Sequence, residues 1–171
     1  MNTRTQLTLF APAPHRASLE TLRRELDPVQ AGLIAAHVTL CREDEIDGLS
    51  PNEIELRVRS WPQSALQLTF GPPVRFDGHG VLLPCLHGTD QFQNLRRWVL
   101  QNEAARSHQA HLTLAHPRNP RAPGNTDDAL LAAPLSLTLE FTKVACIEQS
   151  TGQPWQIRSE FPLSLAAHRT N

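Results

Sequence analysis

Cysteine is sparse in this chain: three residues in 171, at Cys41, Cys85 and Cys146. An odd number at long spacings forms neither a disulfide framework nor a zinc knuckle. Each falls in an apolar, strand-like stretch, where a thiol packs as a small hydrophobe, so a reducing, cytoplasmic setting is expected. Long hydrophobic runs are also missing. No stretch approaches the roughly 18 apolar residues of a membrane span. The start, MNTRTQLTLFAPAPHR, has too short an apolar run for a signal peptide, and no membrane partner is expected. Net charge is nearly absent, with 16 Lys and Arg against 17 Asp and Glu. Without a global positive field, a long duplex gripped along many phosphates is a poor fit for the chain, whereas a small phosphoester or a single RNA end suits it.

Several motifs are missing as well. No GxxxxGK[ST] loop is present, which argues against ATP use and against a conventional ATP-dependent ligase. Neither an HExxH helix nor a paired-Cys motif stands beside the histidines at 87, 108 and 116, so no metal and no cofactor is expected. Ser64, Ser107 and Ser136 lack the surroundings of a nucleophile elbow.

What is present is an ordinary globular composition, 40% apolar and 19% charged, long enough for one domain spanning 1–171 with its own core. Thr5 to Phe10 alternates as a strand, and Leu19, Leu22 and Leu26 follow helical spacing from His15 to the Asp27-Pro28 break. Ala36 to Cys41 is a second strand. Ser50-Pro51-Asn52-Glu53 has the form of a capped helix start. Leu66, Leu68 and Phe70 alternate with Gln67 and Thr69 in a half-buried strand. The order then repeats: a strand over 80–86, a helix over 90–105, a strand over 110–115, a short helix over 127–132 and an alternating strand over 135–141. Trp155, Ile157 and Phe161 fit a last strand. Both halves read strand, helix, strand, helix, strand, as a duplicated α+β unit would. The expected architecture is bilobed, with two antiparallel sheets, outer helices, pseudo-twofold symmetry and a central groove.

The corresponding strands carry the same pattern. His37-Val38-Thr39-Leu40 and His111-Leu112-Thr113-Leu114 lie 74 positions apart (111 minus 37). Alternation puts each His and Thr on one face and the apolar residues on the other. Two neighbouring strands of this kind bring two imidazoles and two hydroxyls to one place. A neutral His can take a proton from an attacking hydroxyl or water, and a protonated one can give a proton to the leaving oxygen. Thr hydroxyls are donors toward the charge growing on phosphate oxygens. That set suits a metal-independent reaction at a phosphodiester. A lone His-x-Thr would more simply be a packed or surface histidine; the repetition at matching points of a repeated order is what sets these two apart.

With LDPVQAGLIAAHVTLCRE around the first motif, SHQAHLTLAHP around the second and CIEQSTGQPWQIRSEFPL near the end, the chain resembles the two-histidine (2H) phosphoesterase superfamily. That group includes the 2'-5' RNA ligase-like proteins and cyclic phosphodiesterases, and the chain is most similar to its small bacterial branch. The resemblance covers nearly the whole sequence. It implies His37 and His111 as the acid/base pair and Thr39 and Thr113 as phosphate-oxygen binders. It also implies an enzyme acting on 2',3'-cyclic phosphates or 2'-5' linkages of RNA ends or nucleotides. Apart from the resemblance, a monomer is expected. The alternative of another class is a non-catalytic binder of nucleotides or RNA ends. One departure stands out: many relatives carry Arg two residues past the second Thr-Leu, where this chain has His116. The first motif has Arg42 at that place.

Arg42 is five positions beyond His37 and faces away on an ideal strand; a bulge or strand end would turn it inward. His116 is in the same position relative to His111. Phe10 is either core or a platform on which a base stacks. Arg75 and His79 sit in a turn-rich link, and Arg118 and Arg121 in a Pro-rich loop, either as rim residues or as plain surface.

Overall fold

The structure, a computed structural model, describes residues 3–76 and 80–163. The chain begins with β1 (Thr3–Phe10), α1 (His15–Leu26), α2 (Pro28–Leu33), β2 (His37–Cys41), α3 (Glu43–Ile46) and α4 (Pro51–Arg59). It continues through β3 (Leu66–Phe70), β4 (Val74–Arg75), β5 (Val81–His87), α5 (Thr89–Leu100) and β6 (His111–Ala115). The last elements are a short 3-10 turn (Pro123–Asn125), α6 (Asp127–Ala132), β7 (Leu137–Phe141), β8 (Lys143–Ser150) and β9 (Gln156–Pro162).

Local chemistry accounts for most of these boundaries. Ser50 and Glu53 form the expected reciprocal cap of α4, with Pro51 in its first turn. Asp27-Pro28 does end α1, but it also starts α2, because the Asp27 side chain accepts from the Gln30 N–H and Pro28 takes the first helical position. The segment that follows the break is therefore a second helix. The helix expected to reach residue 105 stops at Leu100, where Gln101 turns left-handed at φ 49°. Trp98 on that helix is exposed; its indole lies edge-on to Trp61 and donates to the Arg57 carbonyl. Trp155 precedes β9 rather than belonging to it, and the exposed Leu135 precedes β7.

Two antiparallel sheets form. One has the order β2-β1-β8-β9. In the other, Leu82 of β5 pairs with Thr113 of β6 and also with Val74 of β4. Strands β4 and β3 therefore lie along one side of β5 and β6 along the other, giving β6-β5-β3-β7 with β4 prolonging β3. The two orders match strand for strand. The halves read from the sequence are not the two sheets, however. The closing strands of both halves, β3 and β7, lie together in the second sheet, and the hairpin β8–β9 completes the first.

Each motif strand, β2 or β6, is the outer strand of its sheet, and the two contact each other. Helices cross between the lobes: α1 packs against β6, and α5 against β2 and β3. One continuous core results, with Leu7, Leu9, Val38, Leu68, Phe92 and Leu112 all fully buried. All three cysteines are free and buried within it, and burial pushes the Cys41 thiol up to about 12. No helix among the described residues is long and apolar enough to cross a membrane.

Candidate active site

Both motif strands depart from regular pairing at the same point. Along β1 and β2, Phe10 faces His37, Leu9 faces Val38 and Thr8 faces Thr39, but the next pair is Leu7 with Cys41. Along β5 and β6, Pro84 faces His111, Leu83 faces Leu112 and Leu82 faces Thr113, and the next pair is Val81 with Ala115. Leu40 and Leu114 are the extra residues, so each motif carries a β-bulge at its final leucine. Burial reports the same break: after alternating, two buried residues follow in succession in both strands. The extra residue reverses the alternation beyond it. Arg42 and His116 are thereby returned to the imidazole side.

The outcome is one groove of about 700 Å³ whose lining includes His37, Thr39, His111 and Thr113, together with Arg42 and His116. It continues over the second sheet beside Phe76, Leu82 and Pro117. Phe10 does not line this groove. Its ring lies edge-on to His37, 6.3 Å between centroids, and faces an adjoining apolar cleft. Arg118 lines the groove, whereas Arg121 and His87 are exposed away from it. Arg75 instead ties β4 to the start of α6 through the carbonyls of Gly124 and Thr126. His79 lies outside the described residues.

The imidazoles are held in matching ways. Nδ1 of His37 lies 2.7 Å from the Ala35 carbonyl, and Nδ1 of His111 lies 2.9 Å from the Gln109 carbonyl. A carbonyl only accepts, so each Nδ1 is the donor and each Nε2 is the nitrogen left to exchange protons. His116 is bound the other way round. The Arg118 backbone N–H donates to its Nδ1 at 3.0 Å, so the proton of its neutral ring sits on Nε2.

Burial pushes His37 down to about 4, and the Arg23, His111 and His116 charges add to the shift, while the Ala35 hydrogen bond opposes it. His108, between the Phe92 and His111 rings, is likewise pushed down to about 4 by burial and then by Arg96. His116 is lowered by burial and then by the neighbouring Arg118. At neutral pH these three rings are uncharged.

The supports of the site lie in both lobes. Arg96 on α5 is fully buried and donates to the carbonyl of the bulge residue Leu40, to Glu45 and to the Arg106 carbonyl. It thus satisfies a carbonyl at the bulge. Sequence reading missed a second set of groove residues, Arg4, Gln149 and Trp155, which are brought together only by the pairing of β1 with β8. Among the described residues no three His, Cys, Asp or Glu side chains are grouped to hold a metal ion.

No family model and no curated protein matches the sequence. Solved structures do match in fold. E. coli LigT complexed with ATP superposes at a TM-score of 0.63 with 16% identity over 95% of this chain and 98% of that one. TT0787 of Thermus thermophilus gives 0.57 with 14% identity over 94% and 97%. Usb1 of Kluyveromyces marxianus gives 0.51 with 12% identity over 94% and 98%. The chain therefore has the two-sheet α+β fold of LigT over nearly its whole described length.

Proposed function

We propose that this protein is a 2H-type phosphoesterase that opens 2',3'-cyclic phosphates, or cleaves 2'-5' linkages, at RNA ends or on nucleotides. The observation that carries this reading is the matched mounting of two imidazoles. Each has its Nδ1 tied to a backbone carbonyl, each shares a strand face with a threonine, and both line one groove. The E. coli protein of like fold is known in complexes with phosphate, 3'-AMP and ATP, which agrees with a small phosphorylated substrate.

His37 enters uncharged, and its bare Nε2 suits it to remove a proton from water as that water attacks phosphorus. His111 then gives its Nε2 proton to the ribose oxygen as the P–O bond breaks. Water is consumed, a nucleoside 2'- or 3'-monophosphate is released, and solvent resets the two rings. A bound phosphate anion raises the pKa of His37 from its low resting value toward working pH. Thr39 and Thr113 donate to non-bridging oxygens, Nε2–H of His116 adds a neutral donor, and Arg42 supplies charge. With a 5'-hydroxyl in place of the attacking water, the same displacement joins that hydroxyl to the cyclic end: the P–O5' bond forms as the cyclic P–O bond breaks, and no ATP is consumed.

The test is incubation with the four nucleoside 2',3'-cyclic monophosphates in excess chelator, followed by phosphorus NMR. A monophosphate signal lost in both His37→Ala and His111→Ala supports the reading. Near-wild-type turnover in either folded variant overturns it. Saturable binding with no product would instead identify a non-catalytic binder of RNA ends.

A further inference from the structure

The groove extends well past the imidazoles along the first sheet. Arg4, Gln6, Thr8 and Phe10 share one face of β1, and Thr8 and Phe10 stand opposite Thr39 and His37. Arg4 is four residues beyond Thr8, roughly 13 Å along the strand. Its guanidinium is fixed from two directions. Nε donates to Oε1 of Gln149 at 2.9 Å, and Nη2 donates to the same oxygen. Gln149 is itself buried, and its Nε2 donates to the Gln153 carbonyl at 2.6 Å. The guanidinium carbon stacks 5.0 Å from the centroid of the Trp155 ring. Trp155 in turn donates its backbone N–H to the Leu33 carbonyl at 2.8 Å.

Gln149 is the direct cross-strand partner of Arg4. The guanidinium therefore stays beside its own position on the strand instead of running back toward the imidazoles. Among the described residues no carboxylate is within ion-pair distance of Arg4. A guanidinium that is oriented, unneutralised and placed in a groove is chemically suited to a phosphate. Its charge is felt across the groove at His116. Trp155 also borders the adjoining cleft of about 290 Å³, lined by Phe10, Ile34 and Ile157. That cleft offers apolar surface next to the anion position.

We propose that Arg4, mounted on Gln149 and Trp155, forms a second anion subsite that takes a phosphate of the substrate other than the one between His37 and His111. The inference rests on the phosphoesterase reading and narrows it. The favoured substrate is an RNA end or nucleotide bearing a further phosphate, either an internucleotide linkage or a 5'-terminal group.

Three substrates test this: adenosine 2',3'-cyclic phosphate, its 5'-phosphorylated form, and an adenylyl dinucleotide ending in a 2',3'-cyclic phosphate. The extra phosphate should raise kcat/KM by about tenfold, the value of one charge-assisted contact. Arg4→Met should remove that preference, Gln149→Leu should weaken it, and Arg4→Lys should keep part of it. A gain confined to the 5'-phosphorylated substrate would assign the subsite to a terminal phosphate, and one confined to the dinucleotide would assign it to a linkage. Equal kcat/KM for all three substrates in the unaltered protein would overturn the subsite and leave the phosphoesterase reading intact. So would a preference that survives in folded Arg4→Met. If none of the three is turned over, the phosphoesterase reading fails first. Titration calorimetry with the same ligands then decides the subsite by whether the extra phosphate tightens binding through Arg4.

Discussion

Asp27 Oδ2 accepts a hydrogen bond from the backbone N–H of His116 at 2.9 Å, across 89 residues of sequence. The carboxylate is buried, and its other oxygen accepts from the Gln30 N–H at 3.2 Å and from Asn119 Nδ2 at 2.9 Å. One side chain therefore caps α2 in the first lobe and fixes the exit of β6 in the second. Asp27→Ala removes three bonds and leaves three half-buried donors unpaired. It should cost about 3 kcal/mol and lower Tm by roughly 6–12 °C. Thermal unfolding measures this, and a change within about 2 °C would deny Asp27 its bridging role.

His37 and His108 give the fold a pH dependence of definite sign. Both are pushed to about 4 in the folded chain, against about 6.5 when unfolded. Between those values the unfolded chain binds more protons, so stability rises with pH there. The contribution is complete above about pH 6.5 and is lost as pH falls toward about 4. Urea unfolding followed from neutral pH down to about pH 4.5 should show a steady fall, flatter in His108→Phe. An equal slope in that variant would remove His108 from the account.

The acid limb of kcat/KM reports the base of the free enzyme. With His37 in that role the limb lies near pH 4, well below the ordinary histidine range. A limb at about pH 6.5 would move the base to a different group.

His116 is neutral at working pH and offers a single Nε2–H. Arg at this position adds charge and a second donor. His116→Arg should therefore lower KM by about tenfold with little change in kcat, the value of one charge-assisted contact. Steady-state kinetics on a cyclic nucleotide measures it, and an unchanged KM would mean that position 116 does not touch the phosphate.

Arg96 holds the Leu40 carbonyl at the first bulge, and its charge is matched by Glu45 at 2.6 Å. Arg96→Met leaves the Glu45 carboxylate only the Arg42 N–H and the Arg106 guanidinium 4.0 Å away, and frees the bulge. Losses of about 3–5 kcal/mol are typical of such broken buried pairs. Denaturant titration should show a loss of that order, and a loss under about 1 kcal/mol would show that packing alone sets the bulge.

Much of this arrangement was legible in the residues. Alternation places His37 with Thr39 and His111 with Thr113, and the Ser50–Glu53 cap fixes the start of α4. The bulges were not legible, because Leu40 and Leu114 are ordinary strand residues and only the pairing shows them to be surplus. Asp27-Pro28 carries two meanings, helix end and helix start, and the sequence does not say that both apply. Arg4 and Gln149 are 145 residues apart, so no local pattern joins them. The destination of β3 was equally hidden: its alternation says that one face is buried, not against which neighbour.

That exchange of strands bears on how the chain is made. Thr5 of β1 pairs with Glu148 of β8, so the first sheet stays incomplete until β8 has left the ribosome. Until then the paired β1 and β2 present an open edge, a surface on which nascent chains aggregate or attract chaperones. Long-range pairing of this kind also makes folding slow. A stalled or truncated chain lacking β8 holds both motifs but has no finished wall to set them against, so whatever chemistry the groove performs is withheld until β8 has been made.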